Sequence, residues 1–304
     1  MNTIPLIYHD IYSQLCLPEN HRYPINKYRF LYEYLWEHQK MNQWSWNTPK
    51  PIEIHSVTRV HNEQYVHDLC LGALPLAKMR RIGFPWSEEL IQRTLTSAGG
   101  TLKTMKMALE HNVAIHLSGG YHHAHFDFGS GFCLFNDLVI AARELLSSNA
   151  VERILIIDSD VHHGDGTAAL SHDIEGLYTL SFHCEKNFPS RKPDSTMDVP
   201  FPVGAEDDVF LETFMSMASL AVHRYQPDLI IYDAGVDIHI DDELGYLNVS
   251  TDALYQRDHY LLSLAKQQKV PVGCVIGGGY RRDHRSLVPL HFQLFRSAQA
   301  VFAY

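Results

Sequence analysis

The sequence lacks the marks of a disulfide-stabilised or membrane-spanning protein. Its cysteines are odd in number and never form a Cys-x-x-Cys pair; the five are Cys16, Cys70, Cys133, Cys184 and Cys274. This pattern disfavours a disulfide framework and a structural zinc knuckle, and it favours free thiols in the cytoplasm or another reducing compartment. No apolar run approaches the roughly 18–20 residues that span a bilayer. The N-terminal residues also lack the layout of a signal peptide, so we expect no membrane partner.

Positive charge is scarce too. The chain has 25 Lys and Arg against 35 Asp and Glu, which gives a formal charge of −10 with the 20 histidines neutral. This balance disfavours direct nucleic-acid binding as the main function, and it is compatible with a cationic substrate. The 304 residues contain no low-complexity tract, internal repeat or visible domain boundary. The sequence therefore predicts one domain over residues 1–304.

What the chain does have is an alternation of short apolar runs with helical patterns. Strands are predicted near residues 6–8, 52–57, 113–117, 153–158, 177–183, 229–232 and 272–276. Helices are predicted over residues 27–38, 62–71, 87–111, 137–146, 206–225 and 251–268, and a loop over 186–202. Such alternation is typical of an α/β fold with a mostly parallel central sheet flanked by helices. Ligands then bind at the carboxyl ends of the strands, which share one edge.

The most informative stretch follows the apolar run 154–157. Asp158, Asp160 and His162 are two residues apart, so in an extended chain they point to the same side. Unpaired buried charges cost several kcal/mol each, on the order given for ions in proteins. A divalent metal removes that cost, because carboxylate and neutral imidazole are its ligands. The plain alternative is a turn rich in Asp and His that is held by hydrogen bonds alone.

Asp160, His162 and Asp237 are the candidate metal ligands. Asp237 follows the predicted strand 229–232, which places it at the same edge of the sheet. Three protein ligands leave a coordination position open, as in catalytic rather than structural zinc sites. Taken alone, Asp237 is equally well explained as a turn or capping residue.

Two further groups follow strand ends. His122 and His123 come after two glycines, and an imidazole beside a metal-bound water can move protons in both directions. Asp158 and Asp165 are then free to hydrogen-bond these histidines and set their pKa values. Tyr280 follows three glycines, and its phenol is a candidate donor to a developing oxyanion. The alternatives are surface histidines and a tyrosine ring that only packs over a glycine turn.

Five motifs follow one another between about residues 115 and 285: Gly-Gly-Tyr-His-His, Gly-Ser-Gly-Phe-Cys, Asp-Ser-Asp-Val-His-His-Gly-Asp-Gly, Gly-Val-Asp with Leu-Gly-Tyr-Leu-Asn, and Gly-Gly-Gly-Tyr. In this order they resemble the zinc-dependent histone deacetylase family, which has the arginase/deacetylase fold. The segments Glu-Asn-His-Arg-Tyr-Pro and Arg-Arg-Ile-Gly-Phe-Pro-Trp look most similar to the class IV branch and its bacterial relatives.

The resemblance implies roles for individual residues. It makes Asp160, His162 and Asp237 the ligands of one Zn2+, makes His122 and His123 the tandem acid/base pair, supported by Asp158 and Asp165, and makes Tyr280 the residue that polarises the carbonyl. It implies a tunnel for acyl-lysine that is lined by Gly131, Phe132 and Phe188. It also implies a structural K+ or Na+ near Asp158, Asp160, His162 and Ser181, and an arginine, matched by Arg29, along an internal acetate channel.

One position departs from the family pattern. Many members carry an acid on the rim loop that clamps the substrate's peptide backbone, whereas here Pro85 falls at that place. The side chain of proline accepts no hydrogen bond, so Glu88 and Glu89 become the candidates to replace the acid.

The expected activity is zinc-dependent removal of an acyl group, most simply acetyl, from the Nε-amine of lysine in proteins or peptides. Four alternatives stay open: deacetylation of small amides such as acetylpolyamines, removal of longer acyl chains from lysine, a two-manganese ureohydrolase, and a catalytically silent acyl-lysine binding module. The last two fit less well. A ureohydrolase needs additional acid ligands between its two metals, and the tandem histidines with Tyr280 fit it poorly. A silent module is expected to have lost Tyr280 or a ligand, and none has been lost.

Overall fold

Eight parallel β-strands form one sheet in the computed structural model, which describes residues 3–38 and 43–302. They are β1 (Ile4–Ile7), β2 (Trp44–Asn47), β3 (Val113–His116), β4 (Ile154–Asp158), β5 (Leu177–Cys184), β6 (Met197–Phe201), β7 (Leu229–Asp233) and β8 (Val272–Val275). Their order across the sheet is β2-β1-β3-β8-β7-β4-β5-β6. The four central strands are buried at every position, as expected for a parallel sheet covered on both faces.

Ten α-helices accompany the sheet in the described part of the chain. They are α1 (Lys27–His38), α2 (Ile54–Thr58), α3 (Glu63–Cys70), α4 (Leu76–Ile82), α5 (Glu88–His111), α6 (Asp137–Ser147), α7 (Asp165–Ser171), α8 (Asp207–Tyr225), α9 (Thr251–Gln268) and α10 (Val288–Phe302). The hydroxyl of Ser87 caps α5 and the side chain of Asn136 caps α6, each by accepting a backbone N–H. Within these residues no helix combines the length and the apolar character that a transmembrane segment needs.

The sequence predictions for most elements are confirmed. Six predicted strands correspond to β1, β3, β4, β5, β7 and β8, and all six predicted helices are present. The molecule is a single α/β domain with a parallel sheet flanked by helices, as expected. The five cysteines are free thiols.

The predicted strand 52–57 is wrong. Ile52 donates its N–H to the carbonyl of Leu95 in α5, and the chain then turns into α2. Ile54 is exposed, whereas the consecutive residues Ser56 and Val57 are both buried. Neighbouring side chains of a half-buried strand would alternate between the two faces, so this pattern is that of a helical turn. Contact with α5 therefore decides the conformation over the β-propensity of the branched residues. The second strand is β2, which pairs with β1.

The predicted loop 186–202 contains β6. Pro200 lies within this strand and would be excluded from a central one, but β6 is the last strand of the sheet and has an edge that tolerates proline. Three helices, α4, α7 and α10, have no counterpart among the predicted elements. The first residues of α7 are Asp165, Gly166 and Thr167, whose low helix propensity hides the helix in the sequence.

Two buried histidines make the fold sensitive to acid. Burial lowers the pKa of His61 to about 4 and that of His116 to about 3. Both imidazoles are held by hydrogen bonds, His116 between Tyr12 and Thr101. The folded protein therefore keeps them neutral, while the unfolded chain takes up protons below about pH 6.5. As the pH is lowered below about 6.5, the free energy of unfolding should therefore decrease by about 1.4 kcal/mol per pH unit for each of the two histidines.

We expect His116→Gln to flatten this dependence. The free energy of unfolding, measured by urea between about pH 5.5 and 4, should depend less steeply on pH in this variant than in the unmodified protein. The difference in slope should be about 1.4 kcal/mol per pH unit, the contribution of one histidine. His172→Gln is the matched control, because the side chain of His172 is 80% exposed. Equal slopes for the His116 variant and the unmodified protein would show that His116 does not stay neutral in the fold.

Candidate active site

The candidate residues meet at one edge of the sheet, beyond the carboxyl ends of four central strands. The loop after β4 carries the acidic and histidine residues 158–165, and the loop after β7 carries Asp237. The loops after β3 and β8 carry the tandem histidines and Tyr280. A cleft of about 1210 Å³ opens above them and is bordered by His123, His162 and Tyr280. The parallel sheet thus gathers residues that are more than 150 positions apart in the chain.

Asp160, His162 and Asp237 form a buried group that is suited to a divalent metal. One nitrogen or oxygen of each lies within 4.8 Å of the others. The Nδ1 of His162 is 2.8 Å from Asp160 Oδ1 and 3.2 Å from Asp237 Oδ2. Backbone N–H groups orient the carboxylates: Gly278 donates to Asp160 and Val161 donates to Asp237. A Cβ at Gly278 would collide with both carboxylates, so glycine is required there.

The electrostatics of this group favour a cation. Burial alone lowers the pKa of His162, but hydrogen bonds to Asp160 and Asp237 outweigh it and raise the pKa to about 10. Burial and then repulsion by Asp160 raise the pKa of Asp237 to about 7. Two carboxylates this close cannot both stay charged without a positive partner. A dication supplies that partner and displaces the proton from the imidazole.

The tandem histidines are each held by a different carboxylate. His122 Nδ1 lies 2.7 Å from Asp158 Oδ2, and His123 Nδ1 lies 2.6 Å from Asp165 Oδ1. The Nε2 atoms of the two rings approach to 3.1 Å. Since two bare ring nitrogens would repel each other, this approach requires one N–H between them. The sequence-based pairing of Asp158 with His122 and of Asp165 with His123 is the arrangement that the structure contains.

The two rings differ in basicity. Burial would lower the pKa of His122, but the charges of Asp158 and Asp160 raise it well above its ordinary value. Burial, followed by repulsion from His122, lowers the pKa of His123 to about 3 despite its bond to Asp165. The proton shared by the pair therefore resides on His122, and His123 faces it as the neutral ring.

Tyr280 is anchored by Asp242, a residue that the sequence analysis does not identify. The backbone N–H of Tyr280 donates to Asp242 Oδ2 over 2.7 Å, and the other oxygen of Asp242 accepts from Leu244 and Gly245. The ring of Tyr280 lies edge-on to His162, with 6.1 Å between centroids. Burial, and then the charge of Asp160, raise the pKa of its phenol well above the usual value, so the hydroxyl keeps its proton.

The residues proposed for the tunnel border the same cleft. The ring of Phe188 meets His123 edge-on at 4.9 Å, and that of Phe132 lies 6.0 Å from Tyr280. Phe132 has a φ of 66°, which its N–H bond to the carbonyl of Ile82 helps to hold. A Cβ on Gly131 would lie 2.6 Å from the ring of His123, so only glycine lets the wall approach the histidine this closely.

The assignment of Arg29 to an internal channel is wrong. Its side chain is about half exposed and lies 3.7 Å from Glu33 on the surface of α1. Lys27 instead borders a small cavity beneath the site, where its ammonium donates to the carbonyl of Gly277 over 2.6 Å. Burial lowers the pKa of Lys27 to about 8. Helical periodicity could have revealed this, because Lys27, Leu31 and Leu35 share the buried stripe of α1.

The remaining predicted positions lie as follows. Pro85 is exposed, and Glu88 and Glu89 lie exposed at the start of α5, outside the residues that border the cleft. Ser181 is buried in β5 directly opposite Asp158 of β4, which puts two of the residues expected around a monovalent cation side by side.

Comparison with known proteins agrees with this geometry. The model of the histone deacetylase domain matches residues 21–292. An uncharacterized protein of Picosynechococcus sp. is 42% identical over 98% of this chain and 99% of its own length. Histone deacetylase 2 of Arabidopsis thaliana is 28% identical over 75% of this chain and 62% of its own length. The acetoin utilization protein AcuC of Staphylococcus aureus is 34% identical over 63% of this chain and 53% of its own.

The fold has a solved counterpart as well. An acetylpolyamine aminohydrolase from Burkholderia pseudomallei superposes with a TM-score of 0.81 over 98% of this chain and 99% of its own, at 20% sequence identity. That likeness establishes the arginase/deacetylase type of fold. With the domain match over most of the chain, it leads to one conclusion: this protein belongs to the histone deacetylase family and is a deacetylase-type hydrolase of amide bonds.

Proposed function

We propose that this protein is a zinc-dependent amidohydrolase that removes an acyl group, most simply acetyl, from the Nε-amine of lysine in proteins or peptides, and that the whole chain acts as one catalytic domain. The observation that supports this most is that three kinds of functional group lie together at one cleft. They are the candidate metal ligands Asp160, His162 and Asp237, the imidazole of His123, and the phenol of Tyr280. Amide hydrolysis needs an activated water, a proton shuttle and an oxyanion donor, and each of these groups supplies one.

Zinc fits the group Asp160, His162 and Asp237. The donor set of two carboxylates and one imidazole is of the kind that Zn2+ binds, and three protein ligands leave room for water and substrate. When bound, zinc would lower the pKa of its water toward about 7 and polarise the amide carbonyl.

His123 is the residue proposed to move the proton. It borders the cleft, and Asp165 holds its Nδ1, so Nε2 is the ring nitrogen left to exchange protons. In the proposed reaction this Nε2 gives up the N–H hydrogen bond that it accepts from His122, takes a proton from water and returns it to the leaving amine. His122, held by Asp158 behind it, keeps a positive charge that favours negative charge building up in the transition state. The hydroxyl of Tyr280 donates a hydrogen bond to the carbonyl oxygen that becomes the oxyanion.

A small acetylated amine is the second candidate substrate. The structural neighbour from Burkholderia pseudomallei is named an acetylpolyamine aminohydrolase, and Pro85 puts no carboxylate at the position where many family members hold a peptide backbone. Longer acyl chains on lysine remain a variant of the first proposal.

A two-manganese ureohydrolase is supported by a single observation. His122, Asp158 and Asp233 form a second buried group whose ligand atoms lie within 4.8 Å of one another. The pKa of Asp233 is raised well above its usual value by burial and then by the charge of Asp158, just as that of Asp237 is raised by burial and then by Asp160. The tandem histidines and Tyr280 are what disfavour this alternative, because they suit amide hydrolysis and have no place in a two-metal mechanism.

Two further parts of the proposal concern the setting of the enzyme. A structural K+ or Na+ is proposed near Asp158, Asp160, His162 and Ser181, where it would steady the loop that carries the zinc ligands. A cytoplasmic or other reducing location is proposed because the chain keeps five free thiols, three of them buried.

The role of His123 predicts a large kinetic effect with little structural cost. His123→Ala should lower kcat on an acetyl-lysine peptide by about 10²–10⁴, the usual contribution of general acid–base catalysis. Metal content and melting temperature should stay near those of the unmodified protein, because the ring is not a proposed ligand. His125→Ala is a stringent control: His125 also bonds to Asp165, at 2.8 Å, but only through the other oxygen. Loss of metal from the His123 variant, or an equal loss of activity in both variants, would refute the assignment.

If Tyr280 donates to the oxyanion, removing its phenol oxygen alone should slow the reaction. Tyr280→Phe keeps the ring against His162 and the backbone bond to Asp242, so the fold should be unchanged. Losing one oxyanion donor should lower kcat by about 10²–10³, or roughly 3–4 kcal/mol, with a much smaller change in KM. Steady-state kinetics on acetyl-lysine peptides measures both. A kcat near that of the unmodified enzyme would reduce Tyr280 to a packing residue.

A further inference from the structure

The walls of the cleft carry an excess of positive charge. Of the charged residues that border it, five are cationic, namely Arg22, Arg81, Lys186, Arg191 and Lys192, and two are acidic, Asp165 and Glu243. The chain as a whole has a formal charge of −10. The charge of the cleft mouth is therefore opposite in sign to that of the protein.

The two acidic residues do not neutralise these cations. Asp165 is buried and accepts hydrogen bonds from both His123 and His125. Glu243 accepts the backbone N–H of Arg282 over 2.8 Å, and its other carboxylate oxygen lies 3.9 Å from the guanidinium of that arginine. In the described structure neither carboxylate forms an ion pair with any of the five cations.

The cations, in contrast, are mostly unpaired. Arg22 and Arg191 are exposed and form no ion pair with any acid in residues 3–38 and 43–302. Arg81 stacks over the ring of Phe128 at 3.8 Å, which fixes its guanidinium at the mouth without cancelling its charge. Lys192 donates to the carbonyls of Asn187 and Pro189. Of the five, Lys186 alone has a carboxylate near it in the described structure, that of Glu185 at 3.9 Å.

Unbalanced charge of one sign on the walls of a cleft concentrates ligands of the opposite sign and repels those of the same sign. The effect reaches across the mouth, because the screening length is about 8 Å at physiological ionic strength. A cationic amine such as a polyamine would enter against this field. A carboxylate near the scissile amide would enter with it, and an arginine could bind it through two hydrogen bonds.

We propose that this enzyme selects acylated amines whose amine-bearing half carries carboxylate groups, and that Arg22, Arg81 and Arg191 are the residues that select them. This inference rests on the proposed amidohydrolase function. Two kinds of substrate present a carboxylate near the acylated amine: a peptide in which acidic residues flank the acyl-lysine, and a free acylated amino acid. The same cleft can bind both. The net negative charge of the chain is compatible with a cationic substrate, but the charge at the cleft mouth, which the substrate meets, favours an anionic one.

The test compares acetylated amines that share the chain bearing the scissile amide and differ in net charge. One set holds three peptides with a central acetyl-lysine flanked by aspartates, by serines or by lysines. The other compares Nα,Nε-diacetyl-lysine, which is an anion, with N-acetylcadaverine, which keeps the same chain but is a cation. In each set kcat/KM should be about tenfold or more higher for the anion than for the cation, a ratio within the range of electrostatic steering, and the ratio should shrink as salt is added. A response confined to one set would identify the source.

Charge reversal checks the residues. In the double variant Arg22→Glu and Arg191→Glu the anion-to-cation ratio should fall below one, while Arg224→Glu, at the end of α8 on the opposite edge of the sheet, should keep it. The single variant Arg22→Glu should give an intermediate ratio, and melting temperatures confirm that each variant is folded. Equal hydrolysis of all substrates, or a preference for the cations, overturns this inference and leaves the amidohydrolase proposal standing. No hydrolysis of any amide by the metal-loaded enzyme overturns both.

Discussion

The structure depends on the burial of negative charge at one edge of a parallel sheet. Asp160 and Asp237 are almost completely buried, and no lysine or arginine in residues 3–38 and 43–302 forms an ion pair with either. Such charges cost several kcal/mol each, on the order given for buried ions, unless a cation balances them. Much of the surrounding architecture serves to hold this unstable arrangement: N–H donors from Val161 and Gly278, an imidazole from His162, and glycines that let the chain come close.

The same constraint explains how two adjacent histidines acquire different properties. His122 lies against Asp158 and near Asp160, whose charges hold a proton on it. His123 is buried, with Asp165 beside it and a charged ring in front of it, and its burial and the repulsion from His122 keep it neutral. Burial and the unequal number of carboxylates around the two rings thus separate a proton carrier from a fixed positive charge.

Much of the site could be predicted from the sequence because its parts follow strand ends. Apolar runs with polar or glycine-rich successors indicate both the strands and the edge where they converge, so the residues near 122, 160, 237 and 280 could be placed together before any contact was known. Contacts between distant side chains and backbone groups carry no such signal. The bond from Lys27 to the carbonyl of Gly277 spans 250 residues, and the anchoring of Tyr280 by Asp242 joins two loops.

The errors have physical causes of the same kind. The residues near 52–57 have β-branched side chains, but a hydrogen bond to α5 bends them into a helical turn. The resemblance matched Arg29 to an internal channel, but Arg29 lies on the exposed face of α1, and Lys27 is the cationic residue on its buried face. The net charge of the sequence gives no measure of the charge at the cleft mouth, because the cations there come from three separate segments that only the fold assembles. Sums over the sequence do not reveal such local fields.

The central claim is that one divalent cation balances the group Asp160, His162 and Asp237. Elemental analysis of the purified protein, combined with melting temperatures before and after chelation, tests it most directly. We expect one zinc per chain, a lower melting temperature and no amidase activity after chelation, and recovery of both on adding zinc. Asp237→Ala should remove the metal, whereas Asp198→Ala should keep it, since Asp198 is an exposed residue whose carboxylate bonds to His163 in a different candidate group, that of His163, His183 and Asp198. Two tightly bound manganese ions per chain, or full activity and unchanged stability without metal, would contradict the claim.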